Sequence, residues 1–462
     1  METWRRPVEF DQCESADAFL PLIRGVSGVQ NLTLHSAAVN CSWTDEELLQ
    51  YPYGRLEDCI VSPPTGHEVE LMRSRWQAFV KESLLPYRIT NNAPFWGRGI
   101  VVVGGHPQSL KRVRVLVRAL RNLGSTLPVE LHHWAGEMNA TTKLGLIEEL
   151  GANFTINDLS GPHNLYYSRV QYNEMSRINY QLKIAALLNS RFAEPLLLDS
   201  DNVPAPAADP AALWDSATYR EYGTVVWPDI QRAHRENPYE LESGQLLVDK
   251  RRFWYHLQLA DWFLAQPSLF GRYLLGDKDT FRFAWGALRT QYGRPRKWVA
   301  LVGTMLPRPR SETDRTPVER FCGHSFAQHH PDTGAVAFVH GGALKSYGGP
   351  LLQRLRITDK GKVENLVYKY YKRSGVDEDW GRVEHAVRVA WLNASYMYEV
   401  LPGPDPEPLG ANRTEMPVYC VDFENQPARD VEEILPGFAA AFEKAGGLWM
   451  VGDRYRAGVS GA

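Results

Sequence analysis

The chain has 462 residues, 44% of them hydrophobic, enough for one large domain with extensions or for two domains. Lys and Arg number 51 against 54 Asp and Glu, a formal net charge of −3, so no bulk attraction to nucleic acid or an anionic membrane is expected. The five cysteines, Cys13, Cys41, Cys59, Cys322 and Cys420, match no zinc spacing. They allow one or two disulfides and leave at least one thiol over.

Residues 1–96 show little periodicity and read as a stem-like extension holding one amphipathic helix over 67–85. A core is expected over 97–373. It opens with a short apolar strand, Ile100 to Val103, that ends on Gly104 and Gly105. The helix over 109–124 follows, with Val113, Leu116, Val117 and Leu120 on one face and Gly124 where a C-cap belongs. Arg114, Arg118 and Arg121 form a basic stripe on it, expected to be solvated. A strand over 128–134, a helix over 141–151 and a strand over 153–156 come next. Then follow a helix over 179–192, the strand Pro195 to Asp199 and a further strand over 222–229. Strands alternating with helices of this length predict an α/β fold with a largely parallel sheet. Ligands of such sheets sit outside the carboxyl ends of the strands. Residues 374–462 read as a C-terminal extension broken by the Pro-rich loop LPGPDPEPLG.

Signals for the compartment oppose one another. Six glycosylation sequons start at Asn31, Asn40, Asn139, Asn153, Asn393 and Asn412, which favours a secretory lumen. The N-terminal stretch lacks the apolar core of a signal peptide or anchor, and nothing later reaches transmembrane length.

The chemistry concentrates in four places. An apolar strand ends on Asp199-Ser200-Asp201. For a lone pair of this kind a turn capped by Asp is the commoner explanation, but here the strand before it is apolar, and hard oxygen ligands at a strand's carboxyl end suit Mg²⁺ or Mn²⁺. The stretch FVHGGALK delivers His340, a Gly-Gly turn and Lys345, a pattern suited to Mn²⁺ and phosphate. In ELESGQLLVDK, Ser243 and Gly244 would let a sugar lie against backbone, beside Glu242 and Gln245. In LLGDKDTFRFAW, Asp277 and Asp279 precede a helix. One of the two is explained as an N-cap; the other is available to a substrate hydroxyl.

These motifs, in this order, together with NYQLKIAALLNSRF and YGTVVWPDI, closely resemble the fungal α-mannosyltransferases of glycosyltransferase family 71, which include Golgi α-1,2-mannosyltransferases of mannan branching. The resemblance covers about 97–373. It implies a GT-A fold, a Rossmann-like mostly parallel sheet flanked by helices. It also implies a GDP-mannose donor, a mannoside or glycoprotein-glycan acceptor, Mn²⁺ or Mg²⁺, and retention at the anomeric carbon. On it, Asp199, Asp201 and His340 would hold the metal. Gly104, Lys183, Asp199, Ser243, Gly244 and Lys345 would bind the donor. Glu242, Asp277 and Asp279 would surround the reacting sugar. A type II Golgi location is implied, although the anchor usual in the family is not visible here. Two rivals stand beside this reading. One is a haloacid-dehalogenase-type phosphatase with Asp199 as nucleophile, whose D-x-D belongs on a first strand rather than after two strand–helix units. The other is a non-catalytic carbohydrate-binding relative.

Overall fold

The computed structural model describes residues 65–87, 95–167, 178–206, 209–229, 241–270, 276–288, 290–309, 316–341, 357–359, 362–364, 370–373, 387–392, 418–423 and 427–447. Helix α1, Gly66–Glu82, starts on a capping box in which Thr65 and Glu68 satisfy each other's backbone donors. Its end packs into the main core through Val80, and the chain beyond adds Leu84 and Tyr87. Trp254 Nε1 donates to Leu85 O at 2.7 Å, and Leu85 N donates to Gln258 Oε1 at 2.8 Å. This part of the N-terminal extension is therefore built onto the core.

The α/β expectation is met. The first sheet contains β1 (Arg98–Val103), β2 (Val129–His133), β3 (Phe154–Asp158), β4 (Glu194–Leu198), β6 (Thr224–Pro228) and β7 (Leu241–Val248). Its order is β3-β2-β1-β4-β7-β6. The first four strands are parallel. Strands β1 and β4 are near-continuous apolar runs because helices cover both of their faces. On one face lie α2 (Pro107–Asn122) and α3 (Ala140–Leu150). The predicted α2 stripe is fully buried there, at 1% exposure or less. On the other face lie α4 (Ile178–Asn189) and α6 (Lys250–Leu264). Every residue of α4 from Leu182 to Leu188 is buried, Lys183 included. Strand β7 departs from a simple parallel sheet, running antiparallel to both β4 and β6.

The Arg stripe on α2 is not simply solvated. Arg114 and Arg118 both pair with Glu149 on α3 at 2.8 Å, and Arg121 donates to the carbonyls of Ser125 and Leu127. Lys250, at the start of α6, is a feature that sequence reasoning missed. It is fully buried, and its Nζ donates to the carbonyls of Leu187 and Ser190 at 3.1 and 2.6 Å. It thereby closes the C-terminus of α4, with the Phe95 ring 3.4 Å away.

A second sheet lies beside the first. Strands β8 (Ala300–Pro309), β9 (Pro317–His329) and β10 (Val336–His340) are antiparallel. Three residues after the D-S-D turn, β5 (Asn202–Pro204), pair with β10, so that Asn202 faces His340 in register. Strands β11 (Ile357–Asp359) and β12 (Lys362–Glu364) form a separate hairpin. Strand β13 (Tyr370–Lys372) pairs with β8. From the region read as a C-terminal extension, β14 (Val387–Leu392) pairs with β15 (Val418–Phe423), β15 pairs with β9, and β16 (Ala428–Asp430) pairs with β13.

Candidate active site

The site forms at the carboxyl ends of β1 and β4, where the chain leaves β4 in a tight turn. Asp199 N donates to Gly244 O at 2.8 Å, and Asn202 N donates to Asp199 O at 2.9 Å. The Asn202 amide, fully buried, donates to Gly244 O at 2.8 Å and to Gln245 Oε1 at 2.6 Å. The two motifs predicted as separate are thus sewn together.

Lys183 reaches this turn from α4. Its Nζ lies 2.8 Å from Asp199 Oδ1 and 3.0 Å from Oδ2. It also donates to Ser243 O at 3.3 Å and Ser243 Oγ at 3.2 Å, and lies 3.5 Å from Asp277 Oδ2. Burial alone would lower its pKa. The carboxylates of Asp199 and Asp277 outweigh burial and raise it, so the ammonium stays charged. The carboxyl of Asp199 is pushed up by burial and by the charge of Asp201, although Lys183 opposes both.

Asp277 precedes α7 (Lys278–Ala287) but makes no side-chain capping bond to it. Its carboxylate, almost wholly buried, turns towards Lys183 instead. The capping explanation offered by the sequence therefore does not hold for Asp277. Asp279 sits one residue into α7, and its side chain lies outside the described part. Lys345 also lies outside the described residues.

Glu242 is buried on β7. Its Oε1 accepts from Gly244 N at 2.8 Å, and its Oε2 lies 3.6 Å from Lys278 Nζ and 3.7 Å from His340 Nε2. Burial favours its neutral form, but Lys278, then His340 and Lys183, hold it well below the usual carboxylate range. Lys278 in turn meets Asp229 at 2.5 Å. Gly244 makes room for the imidazole: a Cβ there would lie 2.7 Å from His340 Nε2. Gly104 has a similar cause, since a Cβ there would press on Ser109 at 3.1 Å.

The structure therefore brings together Lys183, Asp199, Asp201, Glu242, Ser243, Gly244, Asp277 and His340, residues up to 157 positions apart in the chain. His340 turns its Nε2 to Glu242, and its buried Nδ1 has no hydrogen-bond partner among the described residues. Among those residues no three His, Cys, Asp or Glu side chains converge closely enough to hold a metal ion. Sequence reasoning missed Lys278, Asn202 and Arg112, whose Nε donates to Ser200 Oγ at 3.0 Å. A lysine between two aspartates was the only available signal for Lys278.

Residues 97–241 match the family model Mannosyl_trans3, described as a mannosyltransferase. The chain is 29% identical over 171 residues to the α-1,2-mannosyltransferase MNN2 of Saccharomyces cerevisiae, covering 36% of this chain and 26% of that one. It is 30% identical over 308 residues to the α-1,2-mannosyltransferase MNN23 of Candida albicans, covering 54% and 48%. It is 36% identical over 157 residues to MNN21 of the same species, covering 33% and 23%. The chain thus spans about half or less of each of these relatives. Among solved structures, the galactosyltransferase LgtC with donor and acceptor sugar analogues aligns over 43% of this chain and 74% of its own, at 14% identity and a TM-score of 0.32. That likeness is too distant to transfer any property.

Proposed function

We propose that the chain, whose residues 97–241 match a mannosyltransferase family model, is a retaining α-mannosyltransferase using GDP-mannose. The acceptor would be the hydroxyl of an α-mannoside, in protein glycosylation or cell-wall mannan synthesis. The observation that supports this most is the convergence of Lys183, Asp199, Ser243, Glu242 and Asp277 at the carboxyl edge of the sheet. A phosphatase with Asp199 as nucleophile gains no support, because that carboxylate is engaged by Lys183 on both oxygens.

A divalent ion fits the charge of the site. Asp199, Asp201, Asp229, Glu242 and Asp277 gather around the ammoniums of Lys183 and Lys278, with Arg112 at Ser200. Asp199 and Asp201 would hold such an ion, Mn²⁺ or Mg²⁺, with His340, whose buried Nδ1 has no partner among the described residues, as a further ligand. When bound, the ion would neutralise negative charge developing on the diphosphate.

The chain's own residues do the rest. Ser243 and Asp277 hold the Lys183 ammonium where a phosphate oxygen would meet it. Glu242, kept ionised, faces the developing positive charge of the sugar. The bond from C1 to the phosphate oxygen breaks with its electrons going to GDP. The acceptor oxygen bonds C1 from the same face, and its proton passes to the departing phosphate. Lumenal Golgi residence goes with this reading; among the described residues no helix is long and apolar enough to cross a membrane. The test is a sugar-nucleotide screen with and without α-mannobiose and EDTA, followed by NMR of the product. GDP release from GDP-mannose alone, a metal requirement and an α-linked product are expected. Full activity in excess EDTA, or a β-mannoside, would refute the reading.

A further inference from the structure

We propose that Lys183 is a built-in counter-ion that occupies the cation position of the D-S-D turn until the donor arrives, so that metal and sugar nucleotide bind together. This rests on the mannosyltransferase reading and extends it to the order of binding.

One ammonium is surrounded by five oxygens. Both oxygens of Asp199 lie within 3.0 Å, both the carbonyl and hydroxyl of Ser243 within 3.3 Å, and Asp277 Oδ2 at 3.5 Å. An all-oxygen shell of this kind is what a hard cation takes. The ammonium cannot swing aside freely. It stands on α4 between Leu182 and Ile184, which are fully buried, and its own side chain is only 10% exposed. A metal ion seeking Asp199 must therefore displace the ammonium or sit against its positive charge.

This accounts for two features at once. The carboxylates crowd around the turn, yet among the described residues no three ligands stand ready for an ion. His340 likewise rests on Glu242 rather than on the aspartates. A diphosphate changes the balance. Its oxygens offer Lys183 a new partner, which frees Asp199, and they supply ligands of their own to the ion. A lysine that merely propped up the turn would have no effect on the order of binding.

The experiment follows Mn²⁺ binding to the full chain by the electron paramagnetic resonance signal of the free ion, with and without GDP. The parent protein should bind Mn²⁺ weakly alone and at least tenfold more tightly with GDP. Lys183→Met, uncharged and of similar length, should bind Mn²⁺ alone at least tenfold more tightly than the parent, and GDP should add less. Lys183→Gln should shift the same way, and circular dichroism checks that each variant is folded. Equal affinity of the parent with and without GDP would overturn the proposal without any variant. So would folded variants whose Mn²⁺ affinity alone is unchanged or weaker. No Mn²⁺ binding even with GDP would overturn the proposal together with the metal-dependent reading, and that pattern differs from the other two.

Discussion

A Cβ on residue 244 would lie 2.7 Å from the His340 ring and 3.4 Å from Glu242, so the glycine sets where imidazole and carboxylate meet. Asp201 poses the opposite question, whether its charge or only its shape is used. It is 5% exposed, and its charge pushes up the carboxyl of Asp199. Asp201→Asn keeps the shape and removes the charge. If Asp201 were only a turn residue, activity should survive. On the reading proposed here, mannosyl transfer falls on the order of a hundredfold or more, the equivalent of a few kcal/mol of transition-state stabilisation. Stability without ligands should hold or rise, because one of two mutually repelling carboxylates has gone. A thermal melt beside a transfer assay, on parent and variant, reads both quantities.

At the scale of the element, the short helix α5 (Ala217–Tyr222) leads into β6 and shows how a distant loop completes a helix. Its N-cap Ser216 accepts from Tyr219 N. The two donors before it are taken by Asp332, 114 residues on, which accepts from Ala217 N at 2.5 Å, Thr218 N at 3.1 Å and Thr218 Oγ1 at 2.6 Å. Asp332→Ala leaves these first-turn donors to water. Unfolding free energy should fall by about 1–2 kcal/mol in a urea titration. Transfer activity should be unchanged, since Asp332 touches none of the site residues named here.

Across the whole molecule, two deeply buried histidines contribute to the dependence of stability on pH. His256 on α6 and His329 on β9 are buried, at 0% and 1% exposure, and burial pushes both pKa values down to about 3. In the unfolded chain each titrates near 6.5. Between those values the unfolded state binds more protons than the folded one, so stability rises with pH across this window. It is fully present above about 6.5 and is lost as pH falls towards 3, at up to about 1.4 kcal/mol per pH unit for each histidine. Urea midpoints at pH 7, 6 and 5 should decline in that order. His256→Asn should flatten the slope by up to one histidine's share. Equal pH slopes in the parent and in His256→Asn would show that His256 does not stay neutral in the folded chain.

The sequence by itself determined the elements whose faces are decided locally. The apolar runs of β1 and β4 and the 3.6-residue stripe of α2 were legible because each such segment is uniformly buried or buried along one face. The D-S-D turn was legible for the same reason, standing where an apolar strand must end. What only the tertiary structure decided was partnership. That β7 enters antiparallel between β4 and β6, that β5 carries Asn202 to His340, and that Asp277 leaves its helix for Lys183 all join residues far apart in the chain. Local periodicity tells which face of a segment is buried. It holds no record of which carboxylate a buried ammonium will find there, because that choice minimises the cost of burying charge over the whole set of neighbours at once.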